Sequence, residues 1–169
     1  MKLFGTSKIN EKGNLSIGGV DALELAKEFK TPLYVMDQEL IETTIDKMKH
    51  VFHSTRFKTR IAYAGKAFLT TGMIKLIESK GLDLDVVSGG ELYKAGFPMK
   101  RVHLHGNNKL INEIEMAVEY GIDTIVVDNE DEISKIENVC LKKGKKQAVL
   151  LRIDPGIEAH THHYIKTSG

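Results

Sequence analysis

One cysteine, Cys140, stands alone in 169 residues, so no disulfide can form within the chain. A single thiol fits a reducing compartment. It has no adjacent basic or histidine residue and reads as a structural thiol rather than a nucleophile. An excess of either charge is also missing: 24 basic side chains face 23 acidic ones. That balance argues against a nucleic-acid or anionic-membrane partner. No run is long and apolar enough to span a bilayer, and Met1–Thr6 has no signal-type apolar region. The expected location is the cytoplasm. No glycine-rich dinucleotide fingerprint follows the first strand-like run, which removes the main support for an open doubly wound sheet.

What is present is a repeating α/β pattern, with 41% hydrophobic residues to build a core. Short apolar runs occur at Leu33–Met36, Arg60–Ala64, Leu82–Val87, Val102–Leu104, Thr124–Val127 and Ala148–Ile153. They recur roughly every 20–27 residues, the pace of successive βα units. Asp37 and Thr70 are expected N-caps, and Ser88–Glu91 and Asn129–Glu132 have the spacing of capping boxes. Gly81, Gly96, Gly121 and Gly144 fall where helices should stop. Ile111–Tyr120 places Ile111, Ile114, Ala117 and Val118 on one face, as an outer barrel helix would. About six βα units are therefore expected, short of the about 250 residues of a complete parallel (β/α)8 barrel. The chain reads as the N-terminal part of a larger protein. Lys142–Lys146 reads as a solvated loop.

The candidate chemistry centres on Lys66, in Arg60-Ile61-Ala62-Tyr63-Ala64-Gly65-Lys66-Ala67-Phe68. It follows a strand-like stretch, at the end where α/β folds keep their reactive groups. Two readings stay open: a desolvated amine of the kind that forms Schiff bases, or a snorkelling lysine in an ion pair. Asp85 occupies the matching point of the next strand, where a carboxylate could pair with the Lys66 ammonium or with an iminium, or serve only as a supporting ion pair. Arg152, flanked by apolar residues, is expected to face a carboxylate or an anionic ligand. Ser88-Gly89-Gly90 might suggest a phosphate cradle, but capping with Glu91 explains it. His103 and His105 share a face and permit a competing reading as a metal-dependent barrel hydrolase, though no carboxylate-rich ligand set joins them.

Taken together, these segments resemble the diaminopimelate decarboxylases, pyridoxal-phosphate enzymes of the alanine-racemase-like barrel group. Thr31–Val35, Ala62–Phe68, Leu84–Leu92, Val102–Lys109 and Leu151–His162 stand in family order at family spacing. The resemblance implies a pyridoxal 5'-phosphate Schiff base on Lys66, with Ala64, Asp85, His105 and Arg152 around the cofactor and no metal. It implies decarboxylation of meso-diaminopimelate to L-lysine, a small-molecule amino-acid substrate, and a homodimer for the full-length protein. It also implies that residues 1–30 are a leader that joins a C-terminal β-domain, and that 31–169 form a partial cofactor-binding barrel. In the family the phosphate-binding loop, the substrate-reading residues and a catalytic cysteine come later in the chain, so this chain alone is expected to be inactive. Many members carry valine and asparagine where this chain has Gly65 and Phe68. A non-catalytic pyridoxal-phosphate-binding barrel protein is the alternative within the same fold.

Overall fold

A computed structural model describes residues 3–94 and 96–154, and the chain divides into two compact units, Met1–Thr59 and Arg60–Gly169. In the first unit, β1 (Lys8–Ile9), β2 (Leu15–Ile17) and β3 (Val20–Asp21) form an antiparallel sheet in that order. Asp21 ends β3 and caps α1 (Ala22–Phe29), its carboxylate accepting from the Leu23 amide at 2.8 Å. Asn10 and Asn14 donate to the same carboxylate at 2.8 and 2.9 Å. Asp37 caps α2 (Gln38–Val51) as expected, accepting from the Leu40 amide at 3.0 Å.

The expected strand Leu33–Met36 joins neither sheet, so the described residues show five parallel strands where six were expected. Its four residues are exposed, Tyr34 to 97%. A strand is held by its ladder partner, and apolar composition without one does not make a strand.

The second unit is a parallel sheet, β4 (Ala62–Ala64), β5 (Asp83–Val86), β6 (Val102–Leu104), β7 (Thr124–Val127) and β8 (Ala148–Leu151), in sequential order. Helices α3 (Thr71–Ser79), α4 (Gly89–Lys94), α5 (Ile111–Tyr120) and α6 (Glu130–Lys143) lie between successive strands. Sequential order with a helix at each crossover is the topology of a (β/α) barrel wall.

Parity along the strands decides the two faces. Leu84, Val86, Val102, Leu104, Ile125 and Val127 are all buried; α3 packs on β5 and α6 on β7, through Ile74, Ile77, Ile136 and Val139. Ile114, Ala117 and Val118 of α5 are buried as expected, but Ile111 is exposed in the first turn. Thr70 caps α3, and Gly121 and Gly144 end α5 and α6 in the left-handed region at φ of 63° and 60°, where glycine has no Cβ penalty. The other sheet face carries Ala62, Asp83, Asp85, His103, Thr124, Val126 and Leu150 around a cleft of about 420 Å³.

Two further expectations need correction. Strand β8 stops at Leu151, so Arg152 lies just past it rather than inside it. The basic cluster is not merely solvated: Lys143 Nζ meets the Glu119 carboxylate at 3.0 Å and Lys145 Nζ donates to the Glu119 carbonyl at 2.9 Å. The segment 155–162 of the fifth resemblance motif lies outside the described residues.

Candidate functional site

Parallel strands bring their outgoing ends to one edge, and the predicted residues gather there. Lys66 sits on a 3-10 turn, Gly65–Ala67, directly after β4. This turn is held on two sides. Tyr63 Oη donates to the Phe68 carbonyl at 2.7 Å, bridging the turn. Gly65 is buried so close to β5 that a Cβ would stand 2.8 Å from the Asp85 carbonyl oxygen. Burial pushes the Tyr63 phenol pKa up, which favours the O–H form that this bond requires.

Lys66 itself is exposed and, among the described residues, has no hydrogen-bond or ion-pair partner. Among the described residues, therefore, neither the pairing with Asp85 nor the desolvated setting is formed. Small neighbours in sequence did not mean desolvation, because Ala62, Ala64 and Ala67 are themselves exposed. Asp85 and Ala64 are Cα partners in the β4–β5 ladder, so both side chains project from the cleft face. Asp85 and His105 line the cleft together, and the His105 amide donates to Val86 O at 2.8 Å.

Arg152 meets the expected carboxylate: its guanidinium binds Asp128 Oδ1 at 2.6 Å, just beyond β7. The pair is not buried, since the Arg152 side chain is 37% exposed. Asp128 was not singled out from sequence. Its position one residue past β7 was the available signal.

Deeper in the cleft, at the incoming strand ends, lies a second polar group that sequence reasoning missed. The buried Asp83 carboxylate accepts from Arg60 Nε at 2.6 Å and faces His103 Nε2 at 3.0 Å. Arg60 also bridges to Asp123 at 2.7 Å, and these two carboxylates push its pKa further up against the effect of burial. His103 Nδ1 meets Thr124 Oγ1 at 2.5 Å. Both ring nitrogens of His103 are thus committed within the protein, which disfavours it as a metal ligand. Among the described residues no three His, Cys, Asp or Glu side chains cluster to hold a metal. The period-2 pattern correctly put His103 and His105 on one face, and the expectation that only His105 stands at the outgoing strand end also holds.

The rim loops are stitched by glutamates from the first helical turns. Glu91 accepts from the Val87 amide at 2.9 Å, and Ser88 Oγ accepts from the Glu91 amide at 3.2 Å. Glu113 takes the Gly89 and Leu110 amides at 2.8 and 2.9 Å. Glu132 takes the Asp128 amide at 3.0 Å. The capping reading of Ser88–Glu91 and Asn129–Glu132 therefore holds, with each glutamate reaching to the residue before its cap.

An amine, a carboxylate, a histidine and an arginine thus ring the outgoing edge of a βα sheet. The sequence profile described as "Pyridoxal-dependent decarboxylase, pyridoxal binding domain" matches residues 38–169. The chain belongs to the pyridoxal-dependent decarboxylases. Among relatives of this family, the diaminopimelate decarboxylases of Bacillus methanolicus and Bacillus subtilis (strain 168) are each 54% identical over 170 residues, 99% of this chain and 39% of theirs. A crystal structure of diaminopimelate decarboxylase from M. jannaschii in co-complex with L-lysine superposes with a TM-score of 0.85 at 36% identity, covering 90% of this chain and 37% of that one. The Helicobacter pylori enzyme complexed with L-lysine gives 0.78 at 32% identity, over 85% of this chain and 37% of that one. The fold is that of the alanine-racemase-like decarboxylase barrel, of which five strands are described. The chain spans about two-fifths of the length of these curated relatives. Among the described residues no helix is long and apolar enough to cross a membrane.

Proposed function

We propose that this chain carries the lysine-bearing part of a pyridoxal-phosphate-dependent decarboxylase that converts meso-diaminopimelate to L-lysine. The observation that carries the reading is Lys66. Its amine is exposed and, among the described residues, unpaired, on a turn fixed by Tyr63 and Gly65, at the outgoing edge that Asp85, His105 and Arg152 share.

The donor set fits the cofactor. One free primary amine can hold an aldehyde covalently, Ala64 leaves room beside it, and the Asp85 carboxylate and Arg152 guanidinium supply opposite charges at the rim. Bound there, the cofactor supplies an electron-withdrawing ring that stabilises the carbanion left as carbon dioxide departs. This chain's residues do the rest. Lys66 Nζ, exposed and without an ion-pair partner among the described residues, is open to attack an aldehyde brought to the rim. Asp85, one strand away on the same face, favours a cationic nitrogen at the rim. Arg152, held by Asp128, presents a cation to anionic groups. His105 borders the cleft beside Asp85.

The wider reading keeps the sequence expectations: a homodimer in the cytoplasm, a leader over residues 1–30 that joins a C-terminal β-domain, and a partial barrel over 31–169. Borohydride reduction in the presence of pyridoxal phosphate, followed by peptide mapping, tests the proposal. A pyridoxyl adduct on Lys66, absent in Lys66→Ala, supports it. Adducts spread over the surface lysines with no preference for Lys66 would overturn it. A zinc requirement with no adduct would favour the hydrolase reading instead.

A further inference from the structure

Lys109 and Glu132 are both charged and both fully enclosed, with side chains 1% exposed each. Their Nζ and Oε2 atoms lie 2.7 Å apart. Such pairs offer little net stability over apolar residues of the same volume, because desolvation offsets most of the attraction. Their bonding pattern points to a different use. Lys109 Nζ also donates to the Gly106 carbonyl at 2.6 Å, drawing together the β6–α5 loop that begins at His105. Glu132 Oε2 also accepts from the Asp128 amide at 3.0 Å, fixing the residue just past β7. Asp128 Oδ1 in turn holds Arg152 at 2.6 Å. One buried contact thus connects three consecutive strand ends.

We propose that the buried Lys109–Glu132 pair is a latch that positions Arg152 at the rim, by tying the β6–α5 loop to the backbone of Asp128. Lys109 and Glu132 are positioning residues: they act on the bound anion through Asp128 and Arg152. The inference rests on the cofactor reading above.

The test uses the full chain with Lys109→Met and Glu132→Leu combined, which keeps volume and removes both buried charges, so that folding is retained. Two quantities are read: amide exchange, and the pyridoxal phosphate concentration that half-labels Lys66 under borohydride trapping. The latch predicts faster exchange at His105 and Leu110, the hydrogen-bonded amides that flank the loop, with Leu84 and Ile125 unchanged. It also predicts a rise of about tenfold in the half-labelling concentration, the scale typical of losing an outer support. Arg152→Met should produce a similar rise, and adding it to the double variant should produce little more, because both act through one group. Unchanged loop exchange and labelling would overturn the latch. So would acceleration of all amides alike, which would make the pair a stability element, or full additivity with Arg152→Met. If Lys66 of the parent chain is not labelled at all, the cofactor reading fails, and loop exchange alone then decides the latch.

Discussion

Tyr63 Oη and the Phe68 carbonyl, 2.7 Å apart, close the turn on which Lys66 stands. Removing the hydroxyl with Tyr63→Phe should cost about 0.5–1.5 kcal/mol, the net worth of one such bond. A denaturant titration checks this. The pH dependence has a definite sign. The folded-state pKa of Tyr63 is raised above its ordinary value of 10.0 by burial. Its contribution is therefore complete below pH 10.0 and is lost as pH rises through the higher folded value. Tyr63→Phe should flatten that alkaline loss, and an alkaline limb identical in both proteins would refute the assignment.

Gly65 sets how closely the lysine turn approaches β5. A Cβ there would meet the Asp85 carbonyl oxygen at 2.8 Å, a backbone atom that cannot swing aside. Gly65→Ala should cost about 1–3 kcal/mol through overpacking and displace the turn. Thermal melting and the rate of Lys66 labelling together check this. An unaltered melting temperature would show that the turn has slack.

At the incoming strand ends, Asp83 is the carboxylate that Arg60 and His103 share. Asp83→Ala leaves the His103 Nε2 side without its partner, while Arg60 keeps Asp123. Because Arg60 is partly exposed, the expected loss is about 2–3 kcal/mol, below the range for a fully buried pair. Under folding conditions Lys66 labelling should be unchanged. Equal losses in stability and labelling would show that the two ends of the cleft are coupled.

In the first unit, hydrogen bonds from Asn14 and Asn10 and the Leu23 amide hold the Asp21 carboxyl at about 2, below its ordinary 3.8. The associated stability is present above pH 3.8 and is lost as pH falls through about 2. Asp21→Asn should remove that acid limb, measured as the fall in unfolding free energy between pH 3.8 and about 2 that the parent shows and the variant lacks. A limb that persists in the variant would assign it to another carboxylate.

How much of this was legible in the sequence depended on which residues carry their own local signal. The caps at Asp37, Thr70, Ser88 and Asn129 were readable because each uses a short-range bond between neighbours in sequence. The rim position of Lys66 followed from counting to the end of an apolar run, whereas Arg152 was expected inside the last run and lies just past it. Leu33–Met36 misled because its composition is strand-like, whereas strand formation needs a partner from elsewhere. Asp128, Glu113 and the Lys109–Glu132 pair stayed hidden because their contacts join loops 20 or more residues apart. The Lys66 environment was misjudged for a related reason: burial depends on what packs overhead, and small neighbours in sequence do not report it.

The glutamates of the first helical turns bear on how this rim can receive a phosphate. A helix start normally offers bare amides to an anion. Here Val87, Gly89, Leu110 and Asp128 already donate to the protein's own carboxylates. These helix starts are therefore screened against anions, and under the proposed function a phosphorylated ligand would be met at this rim by the Lys66 amine rather than by a cradle.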